Sequence, residues 1–451
     1  MTRPLTRAAL GRPAAAVRIL HLGLGGFFRA HQAWYTEHAP DAADWGIAAF
    51  SGRSTALAAR LAAQDGLYTV VTRGPADDHF EVVGSLAAAH PGSDHAAWLA
   101  HWRRPELAVV TLTVTEAGYT RGSGGHLDTA LPQVCADLEA LRADATAPVG
   151  TMAARVLAGL AARQRSGLGP VAIVPCDNLP GNGPLTADVL AELADALGGG
   201  PWRTAAAHAS YVTTMVDRIT PYSAPEDAAA VAAATGWADT APVVTEPYTE
   251  WVLSGTFPAG RPAWEDAGAR FVTDIASHEH RKLWLLNGGH SLLAYAGPLR
   301  GHGTVAEAVA DPLCRAWLEE WWQEAGAHLG LPGRELADYR AALLERFSNP
   351  RIRHTLAKIA EDGSQKLPVR VVPVLLAERE RGAMPSGGVR LVAAWLLQLR
   401  GAGAPVQDTA APSTTGTLAD GARSALTALD VRLGHDTALI EAVTTQAEQI
   451  M

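Results

Sequence analysis

Residues 107–114 read LAVVTLTV, a nearly unbroken apolar run. A strand with one wet face alternates apolar and polar residues. One that is apolar on both sides is buried on both, as in a parallel sheet covered by helices. Residues 17–22 (VRILHL) and 171–175 (VAIVP) have the same character, and 46–50, 67–71 and 80–83 are further strand candidates. Helical patterns lie between the runs, over 30–43, 151–165 and 186–196. This alternation predicts an α/β fold with a doubly wound sheet. The pattern stops near Asp274. Beyond it the spacing is almost only helical, over 278–296, 313–329, 335–347, 388–399 and 435–450, with a Gly/Pro/Ser/Thr-rich loop at 401–417. Two domains are expected, 1–274 and 275–451, the second mainly α-helical, with the active site in the cleft between them.

Composition narrows the function. The formal net charge of −9 disfavours binding to a phosphate backbone. Cys135, Cys176 and Cys314 are far apart and odd in number, which fits neither a disulfide framework nor a zinc site. No apolar run reaches the length of a membrane span, and no signal-peptide core is evident near the N-terminus. A cytoplasmic protein with neither nucleic-acid nor membrane partners is expected. The 16 histidines include no HExxH pair and no Cys/His cluster, so no metal is expected.

The segment LGLGGFF, residues 22–28, stands where a first strand gives way to a helix. That is the context of a dinucleotide turn. The first glycine permits the tight turn, and the second lets a pyrophosphate approach the backbone at the positive end of the helix. Gly23, Gly25, Gly26 and Phe27 are therefore candidate cofactor residues. The third glycine of the usual pattern is replaced by Phe28. The acid expected after the second strand is also missing: Ser51, Gly52, Arg53 and Ser54 follow Phe50. Arg53 is either a solvated loop charge or a residue at the adenosine end that tolerates a 2′-phosphate.

Residues 278–299, HEHRKLWLLNGGHSLLAYAGPL, carry the chemistry. The helix is apolar all round from Lys282 on, as a buried helix is. Yet Lys282, Asn287 and His290 lie in it, at about 0°, 140° and 80° on ideal α-helical geometry, with Glu279 near about 60°. Gly288-Gly289 costs roughly 1 kcal/mol per glycine inside a helix, which implies that something approaches the backbone closely there. A single such polar residue is more often a satisfied core group; three with a glycine pair favour a site. Oxidising an alcohol without a metal requires a base within reach of its hydroxyl. Burial lowers a lysine's pKa and fits it for that task, while an asparagine amide can donate to a developing alkoxide.

The motifs GLGGFFRAHQAWY (23–35), TVTEAGY (113–119), CDNLPGNG (176–183), MVDRITP (215–221), KLWLLNGGHS (282–291) and RFSNPRI…DGSQKLP (346–368) occur in order along most of the chain. In these the chain resembles the polyol-specific long-chain dehydrogenases, the family of mannitol 2-dehydrogenase and fructuronate reductase. The resemblance implies a Rossmann domain with a helical domain, NAD or NADP as cofactor with NAD favoured, and no zinc. It implies Lys282 as general acid–base, Asn178 and Asn287 as the oxyanion site, and His290 and Asp217 in the site. It further implies Glu279 in proton passage and Lys366 on substrate hydroxyls. Lys358 stands where the mannitol enzymes usually have arginine and is a second candidate substrate contact. By themselves Asn178 could be a turn residue, Asp217 a partner of Arg218, and Lys366 a solvated charge.

Three functions compete. The first is interconversion of a ketose and a polyol. The second is the same chemistry on a sugar acid, as in fructuronate reduction, with Lys358, Lys366 or Arg370 facing the carboxylate. The third, a dinucleotide sensor without catalysis, has no need of Lys282 and the two asparagines.

Overall fold

The computed structural model describes residues 2–450 except 53, 54, 123 and 406. The chain divides into two compact units, Met1–Ile275 and Ala276–Met451.

The first unit is built on six strands: β1 (Val17–Leu22), β2 (Gly46–Phe50), β3 (Leu86–His90), β4 (Val109–Leu112), β5 (Val171–Pro175) and β6 (Ala209–Tyr211). Their order across the sheet is β3-β2-β1-β4-β5-β6, and every pairing is parallel. This is the doubly wound nucleotide-binding order, whose strand sequence reverses between β1 and β4. The apolar runs explain it. Leu20, Leu22, Val110, Leu112 and Ile173 face one core with helices His95–Trp102 and Met152–Arg165. Ile19, Val109, Ala172 and Val174 face the other, against Phe28 and Trp251. Each fully buried side chain of this kind contributes about 1.5–3 kcal/mol, which a sheet covered on both faces can collect along its central strands.

The strand candidates at 67–71 and 80–83 form Tyr68–Arg73 and Asp78–Val83, but outside the main sheet. They make an antiparallel pair extended by Val243–Thr245. A second small sheet joins Thr213–Asp217, Glu250–Ser254 and Arg270–Phe271. The helix expected over 30–43 runs only over Gln32–His38, ending at extended Ala39 before Pro40, and is preceded by a separate helix, Gly26–Ala30, with His31 between them out of helical geometry at φ −126° and ψ −87°.

In the second unit every helix or strand assigned among the described residues is helical; a lone bridge joins Thr304 and Thr355. Helix Gly288–Leu299 lies in its middle, packed by Pro312–Gly326, Leu356–Ala360 and Ser386–Leu399. Among the described residues no helix is long and apolar enough to cross a membrane.

Candidate active site

The glycine turn follows β1 directly. Gly23 has φ +114°, and a Cβ there would collide with the backbone oxygen of Thr113, so only glycine fits. The Gly23 and Leu24 N–H groups both donate to the Phe50 carbonyl at 3.0 Å, tying the turn to the end of β2. Gly25 is the N-cap of Gly26–Ala30, and a Cβ on it would meet nothing nearer than the Gly23 oxygen at 3.5 Å. Gly26 packs near Thr220 and Val243. Gly23, Gly25, Gly26 and Phe27 are half-buried, and the Phe27 ring stacks on His31 at 4.9 Å.

Phe28, in place of a third glycine, is fully buried and stacks on His21 at 3.6 Å. His21 bonds Thr111 at 2.8 Å and Thr113 at 3.1 Å, and the Thr113 hydroxyl donates to the Gly23 carbonyl at 2.8 Å. Burial pushes the His21 pKa down to about 3, so the imidazole is neutral and braces the turn from behind. Arg53 lies outside the described residues.

At the carboxyl end of β5 the loop turns through Asp177 to Asn178, which is exposed in this unit. Asp217 ends the strand Thr213–Asp217 and is buried. Its neighbour Arg218 donates to the carbonyls of Glu246 (3.3 Å) and Ala30 (2.5 Å) and lies over Trp34.

In the second unit, Glu279, Lys282, Asn287 and His290 are all buried, and Lys282 is 5% exposed. The backbone there is not a plain α-helix. Ala276–Arg281 is α-helical, Lys282–Asn287 is a π-helix, and α-helix resumes over Gly288–Leu299. The Gly288 N–H reaches the Leu283 carbonyl, five residues back. A π turn holds more residues than an α turn, so Lys282 and Asn287, five apart, come round to more nearly the same side. The separation of about 140° expected from α geometry is corrected by the wider turn.

The glycine pair has a cause inside the unit. The Trp321 and Trp322 indoles donate to the carbonyls of Trp284 and Leu285, each at 2.8 Å. A Cβ on Gly288 would stand 2.8 Å from the Trp321 ring, and one on Gly289 would stand 2.9 Å from the Trp322 indole nitrogen. What approaches the backbone is therefore two tryptophans of helix Pro312–Gly326.

His290 is 5% exposed, stacks on Phe347 at 4.3 Å and meets His354 edge-on at 4.8 Å. Burial, then the nearby His354, Arg346, Arg370 and Lys282, hold its pKa well below the usual histidine value. It is neutral, and its buried Nε2 has no hydrogen-bond partner among the described residues. Arg370 donates to the Ser291 hydroxyl at 3.2 Å, and that hydroxyl donates to the Asn287 carbonyl at 3.0 Å. Ser291, Arg346 and His354 were not singled out as site residues from the sequence, though all three fall in or beside the motifs. Lys366 donates to the carbonyls of Glu361 (2.5 Å) and Ile359 (3.4 Å). Lys358 is exposed and pairs with the Glu361 carboxylate, so the two lysines meet at one residue.

Residues 17–266 match the family description "Mannitol dehydrogenase Rossmann domain", and 274–451 match "Mannitol dehydrogenase C-terminal domain". The chain is 38% identical to mannitol 2-dehydrogenase of Cereibacter sphaeroides, over 88% of this chain and 83% of that one. It is 36% identical to D-mannonate oxidoreductase of Escherichia coli, with the same coverage of 88% and 83%. Among solved structures, Pseudomonas fluorescens mannitol 2-dehydrogenase in ternary complex with NAD and D-mannitol aligns with a TM-score of 0.87 at 32% identity, covering 96% of this chain and 92% of that one. Sequence, sheet order and domain matches agree, and the chain belongs to the mannitol dehydrogenase family of oxidoreductases.

Proposed function

We propose that the protein interconverts a ketose and a polyol with NAD(H), and that Lys282 exchanges the hydroxyl proton without help from a metal. The observation that carries this reading is a buried lysine on a π turn, one turn from Asn287 and close to a neutral histidine.

The first unit fits the cofactor. Gly25 offers an open backbone where a side chain would obstruct a pyrophosphate, and the first-turn N–H groups of Gly26–Ala30 have no acceptor within their helix. Gly23, Gly25, Gly26 and Phe27 would hold it. NAD, when bound, supplies the hydride acceptor. The chain's own residues do the rest. Lys282 as free amine takes the hydroxyl proton, and as ammonium returns it in ketose reduction. Asn287 and Asn178 donate amide hydrogens to the oxygen as charge develops on it. His290, too weakly basic to carry the proton, uses Nε2 for a substrate hydroxyl. Asp217 orients a second hydroxyl, Lys366 and Lys358 reach for the far end, and Glu279 passes the proton outward from Lys282. The P. fluorescens enzyme solved with NAD and D-mannitol supports the same pairing here.

Among the described residues one group has metal-ligand chemistry, His302, Asp311 and Cys314. Its carboxylate is already shared by Arg300 at 2.6 Å and His302 at 2.9 Å. The reading is tested by turnover of polyol–ketose pairs with NAD(H) and NADP(H) after exhaustive chelation. Full activity with NAD is expected. Activity lost on chelation and regained with zinc would contradict the lysine mechanism.

A sugar-acid substrate is the second reading, and one observation favours it. Arg370 places a buried guanidinium on Ser291, beside His290. A carboxylate would be held there by charge-assisted bonds. On this reading Arg370→Leu raises KM for mannonate strongly and leaves KM for mannitol nearly unchanged. An equal change for both would remove the basis for preferring the acid.

A further inference from the structure

We propose that Asp177 is a positioning residue that, anchored by Tyr119, fixes the loop presenting Asn178; this rests on reading Asn178 as an amide that polarises the substrate oxygen. Asp177 is buried directly beyond β5. Its Oδ1 accepts the Leu179 N–H at 3.0 Å, closing a turn around Asn178. The same oxygen accepts from the Asn182 amide at 3.4 Å. Oδ2 accepts from the Tyr119 hydroxyl. Asn182 is itself fastened, since its amide exchanges bonds with the Thr214 backbone at 2.9 and 3.0 Å. The Thr214 hydroxyl closes the loop by donating to the Pro175 carbonyl at 2.6 Å. Thr186, which lies 3.4 Å from the Tyr119 hydroxyl, donates to the Asn182 carbonyl at 2.7 Å. Asn178 thus sits between two anchored residues, and the buried carboxylate is where the anchors meet. The mechanism gives Asp177 and Tyr119 no other task.

The groups facing this carboxylate are Tyr119 and Glu116 from the turn Glu116–Tyr119, Cys176 from its own loop, and Asn182 from helix Asn182–Ala196. Burial raises the Asp177 pKa to about 6, against the lowering effect of its hydrogen bonds from Tyr119, Leu179 and Asn182. The group is therefore ionised at neutral pH and takes up a proton as the pH falls through about 6. Protonation removes the charge that strengthens all three bonds. Wild-type turnover should fall on that acid side.

The test measures kcat, its pH profile and NADH affinity in D177N, Y119F, N178A and the D177N/N178A double variant of the full chain. D177N and Y119F should lose about tenfold or more in kcat, the scale of one charge-assisted bond. NADH affinity, read by fluorescence, should stay unchanged. Measured in ketose reduction, where Lys282 works as the ammonium, the acid limb should vanish in D177N, and D177N should add almost nothing on top of N178A. Y119F keeps the test open should D177N fold poorly, because it removes only a hydroxyl. A D177N variant with wild-type kcat and the same acid limb would overturn the proposal, as would full additivity with N178A. A fully active N178A would instead sink the reading of Asn178 beneath it.

Discussion

Lys282→Ala should lower turnover in both directions by roughly two or more orders of magnitude, the usual contribution of a positioned acid–base group. NADH affinity should be kept, since the glycine turn belongs to the other unit. The neighbours make lysine the right candidate. His290 sits in a buried, cation-rich place that keeps it neutral, so it can neither hold the alcohol proton nor return it. Lys282 is equally buried, and an amine–ammonium pair there can take the proton in one direction and return it in the other. Oxidation by the wild type should rise with pH as the amine is freed. The variant should lack that rise, and small primary amines should partly restore it. Near wild-type rates from Lys282→Ala across the neutral and alkaline range would pass the role of base to Asp217.

Gly288→Val should cost about 2–4 kcal/mol, combining overpacking against Trp321 with the loss of its bond to the Trp284 carbonyl. For a unit of this size that is a fall in Tm of roughly 5–15 °C. Turnover should fall further than stability explains, because the displaced segment is the π turn that carries Lys282 and Asn287. Trp321→Phe removes the donor without adding bulk and should cost less, about 1–3 kcal/mol for an orphaned carbonyl. Gly333→Ala is the control, since a Cβ there meets nothing within 4 Å. Calorimetry with steady-state kinetics checks all three. An unaltered Tm and kcat in Gly288→Val would mean that the indoles do not hold the turn.

The four central strands of the parallel sheet were legible because strands buried on two faces write themselves as continuous apolar runs, as in residues 107–114, whereas the half-buried edge strands Leu86–His90 and Ala209–Tyr211 were not. Val243–Thr245 and Arg270–Phe271 were not, since two or three residues carry no period to read. The helix expected over 30–43 starts after His31, where no proline or glycine marks the break, and stops at His38, two residues before Pro40. The candidate residues on the helix over 278–299 could be named from the sequence, but not their geometry. The π turn depends on Trp321 and Trp322, a whole helix further along the chain, and local spacing holds no trace of that contact. The cost of Gly288-Gly289 pointed to a close approach without telling a ligand from an indole. Phe28 departs from the usual turn, and the structure explains it by the stack on His21. Asp177 went unnoticed beside Asn178 because turn-rich loops commonly contain an aspartate.

The central claim is direct transfer of hydride from a carbinol carbon to NAD while Lys282 takes the proton. Single-turnover oxidation of D-mannitol and D-mannonate, each deuterated at the carbinol carbon, tests it most directly. One of the two should give reduced cofactor carrying the deuterium, at a slower rate than the unlabelled substrate, with the yield collapsing in Lys282→Ala. Reduced cofactor without deuterium, or none from either substrate, would contradict the account.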